Sequence, residues 1–120
     1  QIGEEELYDR QIEDFLTRHT EIRHCITFCS RAYILGEYFQ RHGLKNFHLF
    51  GYDMVEKNIE CLKDGTIDFL IAQHPYKQGY NCIKSLFNHI VLKKNVQREN
   101  YMPLELLTAE NYIYYPADEK

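Results

Sequence analysis

Residues 47–80 read FHLFGYDMVEKNIECLKDGTIDFLIAQHPYKQGY, and this stretch decides the fold. The apolar run Phe47–Phe50 is strand-like and runs into the turn Gly51-Tyr52-Asp53. An amphipathic helix is expected over Val55–Lys63, with Val55, Ile59 and Leu62 turned inward and Asp64-Gly65 stopping it. Ile67–Ala72 is apolar after Asp68, the pattern of a strand buried on both faces of a parallel sheet. It ends in Gln73-His74-Pro75, and Pro75 suits the first position of another helix, Tyr76–Leu92. Polar residues therefore stand at the C-terminal tips of two successive strands, where open α/β sheets bind ligands.

The same alternation continues outward. Glu4–His19 has helical spacing at Leu7, Ile12, Phe15 and Leu16, with acids in the first turn where the helix dipole favours them. A strand follows at His24–Phe28, then a helix at Arg31–His42 with Ser30 as expected N-cap and Gly43 as its stop. Tyr80, Ile83, Phe87 and Ile90 mark one face of the last helix. Lys93–Asn100 reads as a polar connector, Met102–Leu107 as a final strand, and a Tyr-rich tail closes the chain. Regular alternation of helix and strand predicts an α/β fold: three layers, α/β/α, on a mainly parallel sheet of about four strands.

The 120 residues allow one domain with a core and are too few for two ordinary ones. The chain is 44% hydrophobic and 27% charged, with ten Tyr, seven Phe and no Trp. Its net charge of −4 and scattered Lys/Arg argue against this segment gripping a nucleic-acid backbone. No apolar run approaches membrane-helix length, so no membrane association is expected. Gln1 enters almost directly into a helix and no initiator Met is present, so the chain reads as a piece of a longer protein. Cys25, Cys29, Cys61 and Cys82 form no CxxC pair and read as structural thiols, which weakly favours the cytoplasm. The six histidines show no ligand spacing, and no catalytic or phosphate-binding motif is present. Neither metal, cofactor nor enzyme activity is expected.

Each candidate site residue has a plainer reading. Asp53 is placed to accept hydrogen bonds from two neighbouring hydroxyls, or simply to cap the helix after it. Gln73 offers a donor and an acceptor, or is an ordinary strand-end residue before a change of direction. Ser30 and Arg31 stand at the tip of the first strand, where Arg31 suits a carboxylate or phosphate or is an exposed first-turn residue. Phe28, Phe50, Tyr52, Tyr33 and Tyr76 suit core or rim, with sugar stacking as the sharper alternative.

The strand-Gly-Tyr-Asp turn and the strand-x-Ala-Gln-x-Pro-x-x-Gln-Gly-Tyr run resemble the ligand-binding core of the lactose-repressor/galactose-repressor family and its relatives, the periplasmic sugar-binding proteins. The tail MPLELLTAENYIYY resembles the close of that region. The resemblance implies one lobe of a type I periplasmic-binding-protein-like fold. In it, residues 1–73 form the C-terminal lobe, 74–100 a helix and connector that belong with the other lobe, and 101–120 a returning strand and tail. It implies a sugar or sugar-like effector bound by Asp53, Gln73, Ser30 and Arg31, and a homodimer that meets DNA only through a head outside this sequence. The family commonly has Asn-Asp where this chain has Ser30-Arg31, so no particular sugar carries over. A periplasmic or sensor-kinase sugar receptor is the alternative reading. A response-regulator domain is disfavoured, because the first strand ends Phe28-Cys29-Ser30 rather than in an acidic cluster.

Overall fold

The computed structural model describes residues 3–119. In chain order they form α1 (Glu4–Arg18), β1 (His24–Ile26), α2 (Ala32–Arg41), β2 (His48–Tyr52), α3 (Glu56–Lys63), β3 (Phe69–Ala72), α4 (Pro75–Ile90) and β4 (Glu105–Leu107). Two single-turn 3₁₀ helices follow at Tyr112–Tyr114 and Ala117–Glu119. The strands form one sheet in the order β1-β2-β3-β4. Cys25 pairs with Leu49 and Gly51 with Leu70 in parallel ladders, while Ile71 meets Leu106 in an antiparallel one. The expected mainly parallel α/β sheet is thus present, and β1, β2 and β3 are adjacent with their C-terminal tips at one edge.

Strand alternation sorts the core. Leu49, Leu70, Ala72 and Leu107 are buried, and they meet Phe39 of α2 and Cys61 and Leu62 of α3 in one cluster. Burying one such leucine contributes about 1.5–3 kcal/mol. The opposite side chains, Phe50, Tyr52, Phe69 and Ile71, are only half-buried. The expectation that the third strand is covered on both faces is therefore corrected: its burial alternates. Phe50 and Phe69 stack at 4.4 Å on this open face, which reduces the water-exposed area of each ring.

Two glycines explain local geometry. Gly43 adopts φ +62° just past α2, the left-handed stop the sequence predicts. Gly51 matters for close approach instead. A Cβ there would lie 2.5 Å from the Cβ of Ala32, so the missing side chain lets α2 pack directly on β2. Helix α1 is tied to α2 through Arg41, which pairs with Glu5 and Asp9, but both acids lie at the surface where such pairs contribute little.

Helix α4 departs from this packing. None of its residues is buried, and Tyr80, Ile83, Phe87 and Ile90 are all exposed. The Cα radius of gyration is 18.5 Å, whereas a compact chain of this length has a value of about 14 Å. The helix projects from the sheet instead of folding back onto it.

Two outcomes follow from this packing. Gly51→Ala should lose about 1–3 kcal/mol by overpacking. Gly79→Ala, in a helix with open space at that Cβ, should be neutral or gain up to about 1 kcal/mol. Urea denaturation compares the two, and equal effects would show that Gly51 does not set the helix–sheet spacing. The four cysteines are free; Cys61 is buried, and Cys29 and Cys82 are exposed. Burial first, and then the nearby Asp64, Glu37 and Glu60 carboxylates, push the Cys61 thiol from an ordinary 9.0 up to about 12. Iodoacetamide at neutral pH should label Cys29 and Cys82 in the folded protein and Cys61 only after denaturation. Below the unfolded-state value both states hold the thiol proton, so stability is intact. As pH rises from 9.0 toward about 12 only the unfolded chain ionises, and stability should fall.

Candidate ligand site at the strand tips

Asp53 follows β2 with φ +73°, a left-handed conformation uncommon outside glycine but tolerated best by Asp and Asn. Its N–H donates to Ile71 O at 2.9 Å, extending the β2–β3 ladder by one bond. The carboxylate then points along the sheet edge toward β3. There Gln73 Nε2 donates to Asp53 Oδ1 at 2.8 Å. The second carboxylate oxygen of Asp53 and the carbonyl oxygen of the Gln73 side chain make no hydrogen bond among the described residues. The pair therefore presents free acceptors on half-buried side chains at one edge. Asp53 is not the cap of α3. That position belongs to Val55, and no side chain caps the helix.

The two other expected residues behave differently. Arg31, not Ser30, is the N-cap residue of α2, and no side chain bonds the helix N-terminus there. Ser30 contributes its backbone carbonyl as an acceptor for Asn58. The Arg31 guanidinium turns toward α1, donating to the Tyr8 hydroxyl at 3.2 Å and lying 3.9 Å from Glu4. It also lines a cleft of about 600 Å³ between α1 and β1, walled by Ile12, Phe15, Leu16 and Ile26. That cleft is walled mainly by apolar side chains, whereas the Asp53–Gln73 pair brings two polar side chains together at the strand tips, which makes the pair the better candidate ligand site.

Asn58, which sequence reasoning passed over, builds the floor of the site. It is 0% exposed. Its amide nitrogen lies 3.1 Å from Ser30 O, 3.0 Å from Tyr52 O and 3.0 Å from Asp53 O. Its carbonyl oxygen accepts from Tyr33 N at 2.8 Å. One carboxamide thus joins the loop after β1, the loop after β2 and the first turn of α2. The available signal was a polar residue one position before Ile59 on the inward side of an amphipathic helix. Aromatic rings frame the edge above it: Phe28 and Tyr52 lie 6.0 Å apart, with Phe28 and Tyr76 well exposed.

A second missed cluster lies one residue beyond Gln73. His74 has φ +53° and precedes α4. Its N–H donates to the Tyr115 hydroxyl at 3.1 Å, and that hydroxyl donates to Glu119 O at 2.9 Å. Burial raises the Tyr115 ionisation above its ordinary value, so it stays a donor. The Glu119 carboxylate accepts from Lys77 N at 3.3 Å, in the first turn of α4 where the dipole favours an anion. Gln78 Nε2 also donates back to Gln73 O.

A mainly parallel sheet with a carboxylate–carboxamide pair and open aromatic rings at its strand tips is an architecture of the α/β ligand-binding class. The chain belongs to the periplasmic binding protein domain family, whose model matches residues 3–94. A candidate LacI transcriptional regulator from Bacteroides fragilis superposes with a TM-score of 0.85 at 49% identity, covering 90% of this chain and 37% of that one. A D-allose-bound periplasmic solute binding protein of an ABC transporter from Actinobacillus succinogenes gives 0.80 at 23% identity, covering 93% and 40%. A glucose-galactose binding protein from Geobacillus stearothermophilus gives 0.78 at 20%, covering 88% and 38%. At those lower identities the likeness concerns the fold alone. The chain spans less than half the length of these structures. No curated protein matches it.

Asn58→Asp should remove the donors to three backbone carbonyls and cost at least about 2 kcal/mol. It should also shift the amide NMR signals of Tyr33 and Asp53 more than those of α4. A stability change within about 0.5 kcal/mol, the usual range for surface substitutions, would refute the role of the amide as the joint between the loops.

Proposed function

We propose that this chain is the C-terminal lobe of a two-lobed sugar-binding region in a LacI-type transcription regulator. The observation that carries the ligand reading is the Asp53–Gln73 pair, which leaves free acceptors at the tips of two adjacent parallel strands. A carboxylate beside a carboxamide suits vicinal hydroxyls, and the neighbouring rings of Phe28 and Tyr52 suit the apolar face of a pyranose. The fold neighbours include proteins named for glucose and galactose or bound to D-allose, which supports the same ligand class. The regulator reading draws on the 49% identity to the Bacteroides fragilis protein.

In this reading residues 1–73 make one lobe, and residues 74–100 carry the chain to the other. The exposed apolar stripe of α4, with Tyr80, Ile83 and Phe87, is then the surface that packs on the first lobe. An unpaired stripe of that kind is unfavourable in water. Residues 101–120 return as β4 and the tail. Ligand closes the lobes and shifts a homodimer between DNA-competent and incompetent states, with DNA held by a separate head in the cytoplasm. The lower-identity neighbours that are periplasmic solute-binding proteins favour a second reading, a sugar receptor. A helix-turn-helix upstream of the lobes would identify the regulator; a signal peptide or membrane span there would identify the receptor.

Titration calorimetry on the intact two-lobed protein with a panel of pentoses and hexoses tests the ligand. For the sugar that binds, Asp53→Ala should weaken affinity by about 1.5–3 kcal/mol, roughly ten- to 150-fold. Unchanged affinity would remove Asp53 from the site, and no binding across the panel would overturn the sugar reading.

A further inference from the structure

His74 is buried between two glutamates. Its side chain is 10% exposed; Nε2 lies 3.2 Å from Glu105 Oε1 on β4, and Nδ1 lies 3.8 Å from Glu119 Oε2 in the tail. The Nε2 contact is close but off the hydrogen-bonding direction, so among the described residues this buried nitrogen has no hydrogen-bond partner. The His74 backbone is equally constrained. It holds a left-handed conformation, strained for a residue with a side chain, while Tyr115 satisfies its N–H. Three consecutive features therefore depend on this residue: the aim of Gln73 at Asp53, the change of direction after β3 and the start of α4.

We infer that His74 is a proton-operated positioning residue, whose charge state sets how firmly the C-terminal tail grips the start of α4 and thereby how Gln73 is held against Asp53. A protonated imidazole carries a positive charge between the Glu105 and Glu119 carboxylates, with an N–H on each ring nitrogen; a neutral ring lacks that charge and has one N–H. The other ionisable groups around it come from every element at this corner. The Tyr115 ring lies tilted against the imidazole, 5.1 Å between centroids, and is itself within electrostatic reach of Asp53 at the β2 tip. Lys77 on α4 contributes its backbone N–H to Glu119. Among the described residues the carboxylates that face His74 (Glu105 and Glu119) outnumber the cations, so protonation tightens the corner and proton loss frees the tail. In the proposed two-lobed protein, on which this functional consequence rests, the same corner is a crossing between lobes, and proton loss loosens the Gln73 side of the ligand site.

The test needs no ligand, so it stands apart from the sugar reading. The protein is labelled with ¹⁵N and titrated from about pH 5 to 8, the span over which histidine charge changes. The Gln73 side-chain amide and the Lys77 backbone amide should shift together along one titration curve, and the protection of Lys77 relative to its intrinsic, base-catalysed exchange rate should fall at the alkaline end. His74→Gln should abolish both pH-dependent shifts while the fold persists by circular dichroism. Glu105→Gln and Glu119→Gln should each displace the curve. His24→Gln and His48→Gln, at the far end of the strands, should leave it in place. Tyr115→Phe should speed Lys77 exchange at every pH. Gln73 and Lys77 signals that stay still across the range, or that move identically in His74→Gln, would overturn the inference. If His74→Gln unfolds, the two glutamate variants decide instead: curves of Glu105→Gln and Glu119→Gln that coincide with that of the unsubstituted protein would overturn it equally.

Discussion

The buried carboxamide of Asn58 is the constraint from which the strand tips take their shape. Parallel strands leave polar backbone groups exposed at their C-terminal ends, because the ladder stops while the chain still has to turn into a helix. Here Asn58 reaches the carbonyls of Ser30, Tyr52 and Asp53 with its amide nitrogen and takes the N–H of Tyr33 with its oxygen. Leaving such groups buried and unpaired costs about 1–3 kcal/mol each, so the loops have one favourable arrangement. That arrangement frees the Asp53 side chain from capping duty and turns it toward Gln73.

A second joint lies where β3 gives way to α4, and it is made by residues far along the chain. The Tyr115 hydroxyl and Glu119 carboxylate bind the backbone of His74 and Lys77. The tail thereby does for α4 what a local N-cap does elsewhere. Without it the helix would start from a strained His74 with no side chain to hold its first N–H groups. Helix α4 gains little else from the sheet, since no residue of it is buried. A helix of that length is marginal in water without tertiary support. Its apolar stripe and its clamped first turn together describe an element fixed at one end and made to be covered along its side.

Hydrophobic spacing was enough to place α1, α2 and α3 to within a residue or two, because burial on one face imposes a 3.6-residue period that the sequence must carry. It also placed β2 and β3 side by side, since a strand–helix–strand run with short links closes as a parallel, right-handed unit. The pairing of Asp53 with Gln73 was foreseeable for the same reason, as both stand at the tips of adjacent strands. Local cap rules did worse. Ser30 and Asp53 look like N-caps, yet neither side chain bonds a helix terminus, because Asn58 and the left-handed turn at Asp53 claim those loops first.

The sequence by itself determined the alternation of elements, the polar strand tips and the family resemblance, all of which depend on neighbours in the chain. Tertiary structure alone decided the rest. It turned Arg31 to Tyr8 on α1, made Asn58 a joint among three segments, and set His74 between Glu105 and Glu119. It also left one face of the sheet and the whole of α4 open. The reason is physical: those features are contacts between residues tens of positions apart, and no period or local motif encodes which distant side chain will satisfy a given buried polar group.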